Sequence, residues 1–252
     1  MTITALSSAN LARYVTWFAL LSIGALAWWM LLPFPVGTDQ SFMSIVMMKM
    51  MKPEAFAGYI FFAFAMWAVM MIAMMVPVVI PTLIIFRQIH KSGGLLIDSA
   101  MFLSGYFVAW FLFALIAAFG QWALHHGGYF QAMSFSLRGS VAGLLFIFVG
   151  LYQLTPLKNA CLARCQSPVS FFMNCWRESH FGSFQMGLSH GLFCLGCCWM
   201  LMLLMFAGGT MSILTMAALS AFLLAERLIP TRSLSRFLPA TALILVGIFY
   251  LA

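Results

Sequence analysis

Long apolar stretches separated by short polar segments dominate the sequence. Seven of them are each close to the roughly 20 residues that an α-helix needs to cross the hydrocarbon core of a bilayer. They cover about residues 11–32, 57–86, 98–124, 138–156, 184–207, 211–227 and 236–252. The last two are short, and merging them would leave six spans. The pattern predicts an all-α integral membrane protein, a bundle of about seven transmembrane helices forming a single polytopic domain over residues 1–252.

Composition supports this prediction and excludes several classes of protein. Of the 252 residues, 64% are hydrophobic and 7% are charged, and the mean hydropathy is +1.05. A soluble domain of this length could not bury so much apolar surface, so the expected partner is the lipid bilayer. The net charge of +7 is spread between the apolar stretches and does not form a basic patch. We therefore expect no nucleic acid partner.

The distribution of basic residues predicts the orientation of the seven spans. Three basic residues fall on one side: Lys49, Lys52 and Arg138. Nine fall on the other: Arg13, Arg87, Lys91, Lys158, Arg164, Arg177, Arg227, Arg232 and Arg236. Because cytoplasmic loops carry the excess of Lys and Arg, we expect a multi-pass protein of the bacterial inner membrane. Its N-terminus and its 157–183 loop would be cytoplasmic.

The fifth apolar stretch carries an unusual set of soft donors. At about 100° per residue, four side chains share roughly a third of the helix circumference: His190, Cys194, Cys197 and Cys198. A lone buried cysteine is usually only a small hydrophobic residue. Three cysteines within five residues, one turn from a histidine, instead predict a metal or redox site. Packing is the alternative interpretation.

The second stretch repeats methionine along one helical face, at Met66, Met70 and Met74. Pro77 and Pro81 follow on the same side and are expected to kink the helix beside a cavity. Thioethers are suitable ligands for Cu(I), although methionine is also a flexible filler of cores. The second and fifth spans enter from opposite sides, so these methionines and the cysteines are predicted to meet near mid-depth.

Two polar segments add further sulfur. In the predicted inner loop, Cys161 and Cys165 are one helical turn apart, and cytoplasmic thiols are expected to be reduced. The pair alone is a weak metal motif, because a zinc module would need a second pair. The predicted outer loop, 33–56, is rich in methionine. That loop is either a Cu(I) site or an interfacial segment with its methionines facing lipid.

The chain resembles an uncharacterised bacterial family described as predicted metal-binding integral membrane proteins. The resemblance extends from about residue 60 to 228 and is densest around the run Cys194–Trp199. Gln166 and Ser212 depart from the family pattern, which has a basic residue and Asn at these places. Other matching residues are Trp67–Met75, Pro77, Pro81, Gly105, Tyr106, Trp110, Gln153, Leu157, Lys158, Cys161, Leu162, Cys165, Pro168, Trp176, Arg177, Gly182, Met186, Gly187, His190, Gly191, Leu201, Met202, Gly208, Met211 and Glu226. The resemblance implies metal binding but no particular reaction.

The residues favour a protein that handles Cu(I), through transport or through delivery to a copper enzyme. The site would lie between the second and fifth spans, with a periplasmic copper chaperone or a copper enzyme as partner. Another soft or borderline metal would also suit these donors. The predicted ligands are His190, Cys194, Cys197, Cys198, Met70, Met74, Met66, Cys161 and Cys165.

The alternative is a membrane thiol oxidoreductase that uses the Cys194–Cys198 cluster, because Cys194 and Cys197 have the spacing of redox pairs. No phosphate-binding loop, Ser/His/Asp set or pair of catalytic carboxylates occurs in the sequence. An activity of the hydrolytic or ATP-driven kind therefore has no support.

Overall fold

The computed structural model describes residues 3–32, 42–51, 56–90, 94–130, 137, 139–209, 212–229 and 233–251. For residues 3–15, 43–44, 47, 51 and 233–236 the description covers the backbone alone. The described elements are helices, apart from one antiparallel bridge between Phe130 and Leu137. In chain order the helices are α1 (Ile3–Leu31), α2 (Phe42–Met51), α3 (Phe56–Ile89), α4 (Leu95–His126), α5 (Gly139–Gln153), α6 (Pro156–Gln166), α7 (Pro168–Cys175), α8 (His180–Gly208), α9 (Ile213–Leu228) and α10 (Ser233–Leu251). The prediction of an all-α protein is confirmed.

Each predicted span coincides with one helix: α1, α3, α4, α5, α8, α9 and α10. Within the described residues, α3, α4 and α8 are long and apolar enough to cross a membrane. The pair α5 and α6 would add a fourth span, broken by a bend of 64°. The apolar segments Thr16–Leu31 of α1 and Phe237–Leu251 of α10 are shorter than these spans. The helices are where the pattern put them, and three or four satisfy the criterion for spanning a bilayer.

The segment 157–183 is not a loop, and that prediction is wrong. It contains α6 and α7, each of which begins with a proline after a hydroxyl residue. Thr155 caps α6 by accepting a hydrogen bond from the Lys158 backbone N–H at 3.4 Å, as expected for an N-cap with proline at the first helical position. α6 packs against α8 and buries Leu162 and Cys165.

Prolines inside α3 are accommodated by a neighbouring helix. Pro77 has no N–H and so leaves the Ala73 carbonyl without its helical partner. The indole Nε1 of Trp28, on α1, donates to this carbonyl oxygen at 3.1 Å. α1 therefore packs where the α3 backbone needs an outside donor, which agrees with the way membrane helices satisfy freed backbone groups.

The contact between α4 and α8 depends on glycine. A Cβ atom on Gly187 would collide with the Phe102 carbonyl oxygen, and one on Gly105 would collide with the Phe184 carbonyl oxygen. Small residues allow backbones to approach closely in membrane bundles. α3 lies antiparallel to α8, since the Trp67 ring meets Phe206 at 5.1 Å and Thr82 meets His190 further along. This register brings the middle of α3 beside the cysteines of α8.

Candidate metal centre

The soft donors of α8 lie on its buried face, in the middle of the helix. Cys194 and Cys198 are each 2% exposed, Cys197 is 6% exposed and His190 is fully buried. The Cys197 and Cys198 thiols donate to the Cys194 carbonyl oxygen at 3.0 and 2.9 Å. Cys194 Sγ lies 3.4 Å from the Tyr106 hydroxyl of α4. The helix thus points its thiols into the bundle, where lipid cannot reach them.

Helix α6 contributes the third thiol of a cluster whose other two thiols belong to α8. α6 brings Cys165 to Cys194 and Cys197, and the three sulfur atoms lie within 4.8 Å of one another. Three sulfurs around one ion at about 2.3 Å would be separated by about 4 Å. Small side-chain rotations therefore suffice to ligate a single ion. We call this cluster, Cys165, Cys194 and Cys197, the thiol centre.

A small cavity adjoins the thiol centre. It offers about 20 Å³ to water-sized bodies, which is room for roughly one. The space suits a bare ion and is too small for a metal complex that carries its own ligands. The lining residues are Met75, Val78, Leu162, Cys165, Cys194, Cys197, Cys198, Leu223, Glu226 and Arg227.

The other predicted cysteine ligands take different positions. Cys198 lines the cavity but is not one of the three clustered thiols. Cys161 is partly buried and faces Gly196, where an added Cβ would lie 2.9 Å from its sulfur. All six cysteines are free thiols in the structure. Cys161 and Cys198 therefore flank the thiol centre without belonging to it.

His190 already has polar partners. Its Nε2 lies 3.2 Å from Thr82 Oγ1 and 3.2 Å from Arg227 Nη2. A guanidinium can only donate, so this nitrogen acts as the acceptor. The other ring nitrogen, Nδ1, is buried and has no hydrogen-bond partner among the residues that the structure describes. The ring packs among Tyr106, Phe102 and Phe171. His190 is beside the thiol centre but is not one of its clustered donors.

The methionines of α3 are buried as a group, with Met66, Met70, Met71, Met74 and Met75 each fully buried. Met75 is the methionine that lines the cavity, whereas the predicted ligands Met66, Met70 and Met74 are not among its lining residues. The assignment of these three as ligands stays a prediction. The periodicity of α3 showed a methionine face but could not show which turn lies level with the cysteines.

Two charged side chains, Glu226 and Arg227, line the cavity beside the thiol centre, and sequence reasoning did not place them there. Lys158 is 2% exposed, and its Nζ lies 2.5 Å from Glu226 Oε1. Lys158 also hydrogen-bonds Gln153. Arg227 is 8% exposed and hydrogen-bonds Thr82. Lys158 and Arg227 were counted above as loop residues that orient the spans; the structure buries both within the bundle, while the orientation itself stays a prediction.

The donor set determines the metal chemistry that this arrangement allows. Three thiols and a nearby thioether are soft donors, which favour Cu(I) and also accept Zn(II). Hard ions such as Mg²⁺ and Ca²⁺ require oxygen ligands. Glu226 is the one carboxylate among the residues lining the cavity, and it is paired with Lys158. The thiol centre therefore fits a soft, monovalent or divalent transition metal.

Comparison with known proteins adds an independent finding. A family model described as "PpoB2: Copper chaperone" matches residues 64–250, which is well over half of the chain. The chain belongs to this copper chaperone family. No curated protein and no solved structure matches the chain. The matched region contains all three cysteines of the thiol centre, so the copper chaperone family and a cluster of thiols that could bind metal coincide in this part of the chain.

The copper chaperone family also bears on the resemblance stated above. The metal-binding part of that resemblance is supported by both the family and the clustered thiols. The family description says nothing about a membrane. The outer segment for which a Cu(I) site was one of two predictions includes Met43, Met47 and Met51, whose side chains lie outside the description. Of the predicted ligands that the structure describes, it brings Cys165, Cys194 and Cys197 together.

Proposed function

We propose that this protein is a membrane-embedded copper chaperone that binds Cu(I) at the thiol centre and delivers it to a copper enzyme. The observation that carries the proposal is the convergence of Cys165, Cys194 and Cys197 within 4.8 Å. These thiols come from two helices, so they are brought together by folding and not by local sequence alone. Thiolates and a thioether such as Met75 select soft Cu(I).

The surroundings suit the holding and release of an ion. Tyr106 and the Cys194 carbonyl supply weak polar contacts to the sulfurs, and most of the residues that line the cavity are apolar. Thiolate–metal exchange proceeds by replacing one soft ligand with another, so adjacent sulfurs such as Cys161 and Cys198 offer successive resting positions. Such a series passes the ion along without deep trapping.

A methionine route from the opposite end of α3 supports the same proposal. Met50 of α2 is fully buried, and its sulfur accepts a hydrogen bond from Gln121 Nε2 at 3.7 Å. Gln121 Oε1 accepts from Trp67 Nε1 at 2.8 Å. From this point the buried methionines of α3 continue to Met75 at the cavity. We propose that Cu(I) moves along these thioethers between the outer surface and the thiol centre.

Anaerobic titration of the purified protein with Cu(I), against a competing Cu(I) chelator, tests the function. We expect one tightly bound Cu(I) per chain and weaker binding of Zn(II). Replacing Cys165, Cys194 and Cys197 together with Ser should abolish that binding. The control is Cys175→Ser, which removes a thiol that does not line the cavity. Equal affinity in the triple variant and the control would overturn the proposal.

The thiol oxidoreductase remains the second candidate, because Cys194 and Cys197 have the spacing of redox pairs and their sulfurs are close. In that function the two thiols would form a disulfide and pass electrons to an oxidant such as a quinone. Thiol-alkylation mobility shifts on oxidised and reduced protein distinguish the candidates. A reversible Cys194–Cys197 disulfide together with absent Cu(I) binding would favour the oxidoreductase.

We further propose a seven-span topology in the inner membrane, with the N-terminus and residues 157–183 on the cytoplasmic side. Without Lys158 and Arg227, which are buried, seven basic residues remain on that side against three on the other, so the charge rule gives the same orientation. Reporter fusions after residues 130 and 252 test it. Both should report a periplasmic location, and a cytoplasmic signal at residue 252 alone would indicate six spans.

A further inference from the structure

Arg227 is a buried cation that lines the cavity beside the thiol centre. Lys158 and Glu226 form an ion pair and so neutralise each other. In the part of the chain that the structure describes, no carboxylate forms an ion pair with Arg227. Arg227 hydrogen-bonds the Thr82 hydroxyl and the acceptor nitrogen of His190, and both are uncharged. Lys158, Glu226 and Arg227 together therefore carry a net charge of one positive unit.

A buried charge without a partner is costly inside a protein or a membrane. The cavity that Arg227 lines also holds the three clustered thiols. Cu(I) bound by two thiolates has a net charge of −1, and Cu(I) bound by three has −2. Either complex supplies the anion that Arg227 lacks. The unpaired cation and the thiols are therefore complementary once the metal is bound.

The position of Arg227 is fixed by three helices. Arg227 is carried by α9, Thr82 by α3 and His190 by α8. The two hydrogen bonds of Nη2 orient the guanidinium at the edge of the cavity, and the His190 ring is in turn packed against Tyr106 and Phe171. Arg227 thus hydrogen-bonds side chains of two other helices. A side chain that only filled space would not need these bonds.

We propose that Arg227 is the internal counter-ion of the copper–thiolate complex, and that Thr82 and His190 are positioning residues that hold its guanidinium there. The proposal rests on the copper function proposed above. In it, His190 acts by accepting a hydrogen bond from Arg227 and not by ligating the metal. Glu226 has the opposite effect on the cavity, because its negative charge reduces the positive potential that the complex experiences.

The test compares charge variants by Cu(I) affinity, again against a competing chelator. Arg227→Gln should weaken Cu(I) binding by on the order of 10- to 100-fold, the effect expected from removing one nearby opposite charge. Arg227→Lys keeps the charge and should recover most of the affinity. Glu226→Gln should strengthen binding by several-fold, because it removes the competing anion. Thermal unfolding of each variant establishes that it is folded.

The direction of these changes separates electrostatics from packing. A purely structural role predicts that the Arg227 and Glu226 variants both weaken binding, and that outcome would overturn the proposal. Affinity of folded Arg227→Gln within twofold of wild type would also overturn it. If Arg227→Gln does not fold, Arg227→Lys and Glu226→Gln still give the comparison, and weakened binding in Glu226→Gln would count against the counter-ion. Absent Cu(I) binding by the wild-type protein would instead refute the proposed function.

Discussion

A cluster around Asp98 and the thiol centre both lie inside this bundle, and they differ in how strongly their side chains already contact one another. Around Asp98, the His180 Nδ1 lies 2.7 Å from one carboxylate oxygen and the His90 Nε2 lies 2.9 Å from the other. Ser183 also hydrogen-bonds the carboxylate, at 3.3 Å. Both oxygens of the Asp98 carboxylate are thereby engaged by neighbouring polar side chains. In the thiol centre, by contrast, the sulfurs have only weak hydrogen bonds and lie beside a small cavity.

The two clusters also differ in their place along the helices. Asp98 is in the first turn of α4, beside the end of α3 and the start of α8, and the His180 side chain is 57% exposed. The thiol centre lies in the middle of α8. A carboxylate that contacts side chains at the ends of two other helices is suited to tying those ends together. Weakly bonded soft donors at mid-helix are suited to binding an ion, so we expect the first cluster to stabilise the fold and propose the second as the copper site.

The largest expected effect is a loss of Cu(I) affinity on changing the thiol centre, and it distinguishes this centre from the Asp98 cluster. Cys165→Ser removes the only donor that α6 gives to the thiol centre. We expect Cu(I) affinity to fall by more than about 100-fold, beyond the range seen when outer partners of metal ligands are lost. Because a serine hydroxyl is close in size to the thiol, the thermal unfolding temperature should change little. Chelator competition and thermal unfolding, measured on the same sample, check both parts.

Asp98→Ala should give the opposite result. Removing one partner of a buried ion pair costs about 3–5 kcal/mol, and this carboxylate serves two imidazoles. We expect a loss of about 3 kcal/mol in the free energy of unfolding, measured in detergent with a denaturant. The folded variant should bind Cu(I) as the wild type does. A folded Asp98→Ala protein that had lost copper would break the distinction between the clusters.

His180→Ala provides the matched control for Asp98. Its side chain is more than half exposed, and exposed ion pairs contribute about 1 kcal/mol or less. The expected destabilisation is therefore a fraction of that for Asp98→Ala. Equal destabilisation by the two variants would mean that the imidazole, and not the carboxylate, ties the helix ends together.

The sequence predicted the framework well because apolar length and helical periodicity are local properties. The helices lie at the predicted stretches, and the face of α8 that carries Cys194 and Cys197 is buried as the 100° spacing required. Cys165 was also singled out, but from its spacing to Cys161. Its approach to Cys194 depends on the bend between α5 and α6, which no pattern within either helix encodes.

The charged residues were misjudged for a similar physical reason. Lys158 and Arg227 stand at the edges of apolar stretches, where a basic residue usually sets topology. Their burial depends on partners distant in the chain, such as Glu226 for Lys158 and Thr82 for Arg227. Choosing Met75 over Met74 as a predicted ligand would have required knowledge of the register of α3 against α8. Such contacts between helices cannot be predicted from the local sequence pattern.

Met75→Leu sharpens the account of the thiol centre with a smaller effect. Met75 lines the cavity, and Leu keeps its bulk and apolar character while removing the thioether. We expect Cu(I) affinity to fall by about 10-fold, within the range for outer partners of a metal site. Met70→Leu is the control, because Met70 is equally buried but is not among the cavity residues. Equal losses in the two variants would place the thioether contribution elsewhere along α3.

Gly196→Ala is expected to have the smallest effect. The added Cβ would lie 2.9 Å from Cys161 Sγ, but the obstacle is the end of a side chain that can rotate. Any residual displacement acts on α6, which also carries Cys165, so Cu(I) affinity should fall only a few-fold. Gly120→Ala is the control because a Cβ there meets nothing within 4 Å, and alanine favours the helix by about 1 kcal/mol. A loss of Cu(I) affinity as large as that of Cys165→Ser would show that the affinity depends more on the packing of α6 against α8 than on the Cys165 thiol.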